Sequence, residues 1–105
     1  EIGAFNTVAR GTLDDTVIAD YVKIDDHVHI GHNAYIGARS LITACSVIGG
    51  SVKMGKSVWV GLNSTIINGI TIGDNVLIGI GTVVIKSIQE NVVVAGCPAR
   101  ILRSN

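Results

Sequence analysis

Residues with useful acid–base and polar chemistry recur at intervals of eighteen in this 105-residue chain, at Asp14, His32, Gly50, Asn68 and Lys86. If these residues are stacked, the carboxylate of Asp14 can orient the imidazole of His32 and support its protonation. The backbone N–H of Gly50 can stabilise a developing oxyanion, and Asn68 can anchor a substrate. The set therefore predicts a general base, an orienting group and an oxyanion donor, which acyl transfer requires.

Two alternatives stay open for this column. Asp14 lies beside an irregularity in the sequence pattern, so Asp15 can take its place as the orienting carboxylate. His32 can also be a turn residue, structural or solvated, because Asn, Asp, Gly and His are all common in turns.

Aliphatic residues recur every six positions, and this repeat sets the backbone positions of the polar residues that are spaced eighteen apart. The twelve positions are Ile18, Ile24, Ile30, Ile36, Ile42, Ile48, Met54, Val60, Ile66, Ile72, Ile78 and Val84. Glycine follows seven of the twelve. Neither the helical period nor the strand period gives this spacing, whereas a hexapeptide-repeat solenoid does.

The repeat also predicts the organisation of the chain as one β-helix domain over residues 1–105. Ile2 and Val8 are out of step with Ile18, which predicts a slip or small loop at residues 12–17. The register is lost after Val84, so residues 88–105 are expected to cap the end of the solenoid.

The composition excludes several functional classes. The formal net charge is zero, which disfavours a nucleic-acid partner. No apolar run approaches the ~20 residues of a membrane span, and no signal-peptide pattern is present at the start. The two cysteines have no framework spacing, so a reduced, cytoplasmic chain is expected. The absence of an initial Met leaves open whether the chain is a fragment of a longer enzyme.

Outward-facing apolar residues also form columns, with Leu41, Trp59 and Leu77 on one face and Val47 and Val83 on another. Exposed apolar stripes usually meet a partner. The alternative is that they are scattered surface hydrophobes, which are common. A cyclic homotrimer is the hypothesis that the stripes support together with the family resemblance given next.

The segments Arg10–Thr16 and Ile24–Asn33 resemble UDP-3-O-acylglucosamine N-acyltransferase and UDP-N-acetylglucosamine O-acyltransferase, both of lipid A synthesis. The resemblance implies an all-β, left-handed parallel β-helix with three hexapeptides per coil. It also implies that His32 is the general base and that the Gly50 N–H binds the oxyanion. Asn33 matches the N-acyltransferase, and Ser51 stands where the O-acyltransferase has a second His. With Asn68, these two residues are the expected substrate-binding set.

The other end of the chain, Ile80–Lys86 and Asn91–Ile101, resembles the close of acetyl-CoA-dependent sugar and serine acetyltransferases. This resemblance implies acetyl-CoA, or another acyl thioester, as the donor. The expected donor-binding residues are Gly79 and Gly81 near the pantetheine arm, with Lys86 and Arg100 near the phosphates. An acyl carrier protein is the alternative donor, because the two halves of the chain point to different families.

The expected function is therefore acyl transfer to an amine or hydroxyl of a sugar or nucleotide-sugar, with no metal. A γ-class carbonic anhydrase is a weaker alternative. Its Ile-Gly-His-x-x-x-x-His pattern begins at Ile30, but the position of the second His is occupied by Gly37. His27 and Cys45 provide only two stacked ligands, fewer than a catalytic zinc site needs. A non-catalytic trimeric scaffold or a truncated remnant is a further alternative.

Overall fold

The computed structural model describes residues 1–105 and contains fifteen strands and no helix. The strands are β1 (Thr7–Val8), β2 (Val17–Ile18), β3 (Lys23–Ile24), β4 (His29–Ile30), β5 (Tyr35–Ile36), β6 (Leu41–Ile42), β7 (Val47–Ile48), β8 (Lys53–Met54), β9 (Trp59–Val60), β10 (Thr65–Ile66), β11 (Thr71–Ile72), β12 (Leu77–Ile78), β13 (Val83–Val84), β14 (Val92–Ala95) and β15 (Arg100–Ser104).

Every third short strand stacks in the same parallel sheet, so the chain winds into a triangular solenoid. Sheet 1 contains β1, β4, β7, β10 and β13; sheet 2 contains β2, β5, β8 and β11; sheet 3 contains β3, β6, β9, β12, β14 and β15. Strands in the regular coils pair residues eighteen apart, as Leu41 does with Trp59 and Trp59 with Leu77. The predicted left-handed parallel β-helix is confirmed.

The inward column of the hexapeptide repeat forms the core. From Ile24 to Val84 its side chains are at most 2% exposed. Burial of each aliphatic side chain contributes about 1.5–3 kcal/mol. The narrow interior accepts one such side chain per strand, which explains why the fold needs few aromatic residues.

A ladder of buried hydroxyl groups joins successive coils beside this core. Ser46 accepts a hydrogen bond from the Ser64 N–H, and Ser64 accepts one from the Thr82 N–H, at 3.4 and 3.3 Å. The Ser64 hydroxyl also donates to the Gly79 carbonyl at 3.0 Å. Each hydroxyl therefore satisfies backbone groups that have no access to water.

Replacement of Ser64 by alanine should lower the free energy of unfolding by about 1–3 kcal/mol, because the Thr82 N–H loses its acceptor in a buried position. Denaturant titration at fixed protein concentration measures the change. Ser104→Ala, at an exposed site in β15, is the matched control and should be nearly neutral. Equal effects of the two substitutions would contradict a structural role for the ladder.

One residue at each corner adopts a left-handed backbone conformation. Positive φ values recur every six residues, at Tyr21, His27, Asn33, Arg39, Cys45, Ser51, Ser57, Asn63, Gly69, Asn75 and Gly81. This conformation costs most L-residues roughly 1–2 kcal/mol but suits Gly and Asn. The corners occupied by other residue types are therefore strained, and the stacked coils hold them in place.

The regular winding is interrupted between β1 and β2. Ile18 follows Val8 by ten positions in place of six. Thr7 therefore pairs with His29 at an offset of 22 residues, in place of the regular 18. The four additional residues project as a loop over residues 9–16. At the other end, β14 joins β12 in parallel, and β15 returns antiparallel along β14. With no helix in the fold, there is no helix that could cross a membrane.

Candidate functional site

His32 and Gly50 lie on adjacent coils at the edge where sheet 1 meets sheet 2, here called the His32 corner, which also carries Asn68 and Lys86. The imidazole of His32 is exposed and covers the α-carbon of Gly50. A Cβ on Gly50 would stand 2.9 Å from Nε2 and 3.0 Å from Cε1 of His32. Only glycine leaves this space for the ring.

The two backbone polar groups of Gly50 differ in their hydrogen bonding. The Gly50 carbonyl accepts a hydrogen bond from the Gly69 N–H at 2.9 Å, while the Gly50 N–H has no acceptor within the protomer. A Cβ at Gly31 would collide with this nitrogen. The corner therefore combines an imidazole with a neighbouring backbone N–H that has no internal acceptor, and acyl transfer uses groups of these two types.

The polar residues of the corner fall into two groups. Asn68 and Ser51 are exposed, and their side chains make no hydrogen bond within the protomer. Asn33 is different, because its Oδ1 accepts hydrogen bonds from the N–H and the hydroxyl of Thr12 at 2.8 and 3.2 Å. The Asn33 N–H donates to the hydroxyl oxygen of Thr16 at 2.9 Å. Asn33 thus ties the loop of residues 9–16 to the coil that carries His32.

The two aspartates that were expected to orient His32 lie in the loop that precedes β2. Both carboxylates are exposed in the inserted loop, and no hydrogen bond joins either to the imidazole. The register on the side of sheet 1 is offset by 22 residues and leads from His32 to Arg10, whereas the register on the side of sheet 2 is offset by 18 and leads from His32 to Asp14. The imidazole therefore has no carboxylate partner within the protomer.

The four residues expected near the donor lie at two different edges of one protomer. Lys86 and Arg100 line the same cleft of about 430 Å³ between the last coil and the β14–β15 hairpin. Ile88, Val94 and Ala99 give this cleft an apolar floor. By contrast, Gly79 and Gly81 lie between β12 and β13, at the edge where sheet 3 meets sheet 1.

The latch formed by Thr12, Thr16 and Asn33 was not foreseen in the sequence. The register slip gave a signal that a loop lies here, but not which side chain holds it. His27, one of the two possible metal ligands, lies outside the His32 corner. Its ring stacks on the ring of Phe5, and the two centroids are 5.2 Å apart. No three His, Cys, Asp or Glu side chains cluster in a way that could hold a metal ion.

Family models match two adjacent segments of the chain. The model described as bacterial transferase hexapeptide (six repeats) matches residues 15–50, and the hexapeptide repeat of succinyl-transferase matches residues 51–86. Together they cover more than half of the chain. The chain belongs to the hexapeptide-repeat transferases.

Individual relatives of this hexapeptide-repeat transferase carry acetyltransferase names. Galactoside O-acetyltransferase of Escherichia coli K12 is 51% identical over 45 residues, 43% of this chain and 22% of the relative. The 2,3,4,5-tetrahydropyridine-2,6-dicarboxylate N-acetyltransferase of Clostridium perfringens is 40% identical over 45 residues, 43% of this chain and 19% of the relative. The matched segment thus spans about a fifth of the length of either protein.

The solved structure of Arabidopsis UDP-N-acetylglucosamine acyltransferase superimposes with a TM-score of 0.96 and 28% identity. It covers 99% of this chain, and this chain covers 37% of it. Nearly all of this hexapeptide-repeat transferase chain therefore superimposes on a part of that acyltransferase.

Proposed function

We propose that this chain is the β-helix core of an acyltransferase that moves an acyl group, acetyl from acetyl-CoA, to an amine or hydroxyl of a sugar or nucleotide-sugar. The observation that carries the proposal is the His32 ring over Gly50, beside a backbone N–H without an acceptor. The acetyltransferase names of the sequence relatives support the reaction class.

In the proposed reaction, His32 removes the proton from the acceptor amine or hydroxyl as that group attacks the thioester carbonyl. The Gly50 N–H donates to the carbonyl oxygen as it becomes negative. Collapse of the tetrahedral intermediate breaks the carbon–sulfur bond, and the imidazolium returns its proton to the leaving thiolate. A His suits both steps because its ordinary pKa range lies close to neutral pH.

The C-terminal cleft supports a phosphate-bearing donor. Lys86 lies at the His32 corner, three coils from His32 towards the C-terminus. At an inter-strand spacing of about 4.8 Å, the two residues are about 14 Å apart along the solenoid. A donor whose phosphates meet Lys86 and Arg100 would direct its extended pantetheine arm along this corner towards His32. Acyl carrier protein presents the same arm, and the resemblance of residues 10–33 to the lipid A enzymes makes it the second candidate donor.

A homotrimer would complete the proposed site. The apolar column of Leu41, Trp59 and Leu77 lies on the outer face of sheet 3, and the Trp59 side chain is 52% exposed. Packing of this face against another subunit would bury the column. A residue of the neighbouring subunit could then orient His32, and the two edges that carry the donor residues could meet across the interface.

The first test is calorimetric titration of acetyl-CoA into protein whose mass has been measured by light scattering. We expect saturable binding at about one site per chain of a trimer. Acetyl transfer is then assayed with an acceptor panel of methyl galactoside, UDP-N-acetylglucosamine and glucosamine. Trimeric protein that binds neither acetyl-CoA nor acyl carrier protein would reject the proposal in favour of a scaffold.

Lys86→Met should raise the KM for acetyl-CoA by about tenfold with little change in kcat, because one charge-assisted contact to the donor is lost. The effect should shrink at high salt, which screens exposed charges. Lys53→Met removes a charge from sheet 2 at a residue that does not line the cleft, and it serves as the matched control. An unchanged KM in Lys86→Met would place the donor phosphates elsewhere.

A further inference from the structure

The inserted loop between β1 and β2 is a defined structure at the His32 corner. A Cβ on Gly11 would overlap the Asp14 carbonyl oxygen, so the turn from Gly11 to Asp14 requires glycine. The loop leaves the solenoid at the same edge as His32, since both follow strands of sheet 1. It therefore stands directly beside the proposed catalytic corner.

Asn33 holds this loop at two points, its middle and its C-terminal end. Its Oδ1 accepts from the backbone N–H and the hydroxyl of Thr12, and its own N–H donates to Thr16. Asn33 follows His32 directly in the chain and has a φ of 61°, a conformation that Asn tolerates. Asn33 thus connects the loop of residues 9–16 directly to the backbone of His32, the proposed base.

Leu13, next to the latched Thr12, points into solvent. It is 95% exposed, more than any other large hydrophobic side chain of the chain. A latched backbone holds Leu13 in one place, although its side chain contributes nothing to the core. An apolar residue presented in this way is suited to contact a ligand.

The position of the loop indicates which ligand. The cleft with Lys86 and Arg100 lies three coils from His32 towards the C-terminus, whereas the loop lies one coil from His32 towards the N-terminus. A donor that extends from the cleft to His32 occupies the first side. The acceptor must then approach from the side of the loop.

We infer that the loop of residues 9–16 is an acceptor-recognition element, with Leu13 as a specificity-determining residue and Asn33 as the positioning residue that holds it. This inference rests on the proposed acyl transfer. Leu13 contacts the apolar face of the acceptor sugar, while Asn33 acts through Thr12 and Thr16 and does not itself touch the substrate.

The test compares Leu13→Ser with the wild type over the acceptor panel, by kcat/KM and by saturation-transfer NMR of each acceptor. Leu13→Ser should change the ratio of kcat/KM values between acceptors by about tenfold or more, with the KM for acetyl-CoA unchanged. Leu102→Ser removes an exposed leucine from β15 and should leave the ratios unchanged. Unchanged ratios in Leu13→Ser, or a changed oligomer mass, would overturn the assignment.

Asn33 variants test the latch separately. Asn33→Ala should alter the acceptor ratios as Leu13→Ser does and should speed trypsin cleavage after Arg10. Asn33→Asp keeps the Oδ1 acceptor and should restore both properties. Cleavage and ratios that do not respond to Asn33→Ala would overturn the positioning role.

The two proposals can fail independently. Wild-type protein that binds acceptors, with selectivity altered by Leu13→Ser but without acyl transfer, would reject only the proposed reaction. Transfer with selectivity independent of Leu13, or a wild type that binds no acceptor, would reject the recognition element.

Discussion

Replacement of His32 by alanine is expected to lower kcat for acyl transfer by about two to four orders of magnitude, the usual contribution of a positioned general base. The imidazole is exposed and is not part of the core, so the thermal midpoint should change little. The measurement is the steady-state rate of thiol release from acetyl-CoA in the presence of a working acceptor, together with thermal unfolding.

His27→Asn is the control for this prediction. His27 is also a corner histidine, with a φ of 58°, but its ring stacks on Phe5 at another edge of the solenoid. Asparagine tolerates the left-handed conformation at that position. The control should retain full activity, and a His32→Ala variant with unchanged turnover would remove His32 from the mechanism.

Replacement of Gly50 by alanine is expected to reduce kcat by about a hundredfold or more while the fold is kept. The new methyl group would stand 2.9 Å from Nε2 of His32, so the ring must swing away from the Gly50 N–H. Misplacement of a catalytic group by about 1 Å can cost a factor of this size. Kinetics and denaturant titration on the same preparation separate the two effects.

The backbone itself should accept alanine at this position. Ala38 and Ala44 occupy the equivalent corner position in neighbouring turns, so the expected loss comes from the His32 ring and not from backbone strain. The double variant His32→Ala/Gly50→Ala should therefore be no slower than His32→Ala alone. A Gly50→Ala enzyme with wild-type kcat would show that the observed ring position has no part in the reaction.

The repeat predicted the fold and the His32–Gly50 pair because both residues lie in regular coils, where counting by eighteen identifies spatial neighbours. The same count does not settle the place of Asp14, because four inserted residues make the offset 22 on the side of sheet 1 and leave it at 18 on the side of sheet 2. The period alone therefore does not predict which side chain of this loop faces His32.

The six-residue repeat also predicts that the expected donor-binding residues lie at different edges of the solenoid. Counting by six assigns Gly81 to the edge of Cys45 and Asn63, whereas Lys86 belongs to the edge of His32. The cleft beside Lys86 could not have been predicted in this way, because an antiparallel hairpin with no hexapeptide period forms its other wall.

The triangular winding has a consequence for any change in chain length. Each coil contacts only the coils above and below it, so segments can be added without disturbing distant coils. Eighteen residues inserted between Asn68 and Lys86 would move the C-terminal cleft about 4.8 Å further along the same edge. Six inserted residues would instead turn the cleft by a third of a revolution, onto an edge that lacks His32. The distance from His32 to the donor cleft can thus be lengthened only by whole coils of eighteen residues. A homologue that gained or lost a single hexapeptide there would place the cleft and His32 on different edges, even if every side chain were kept.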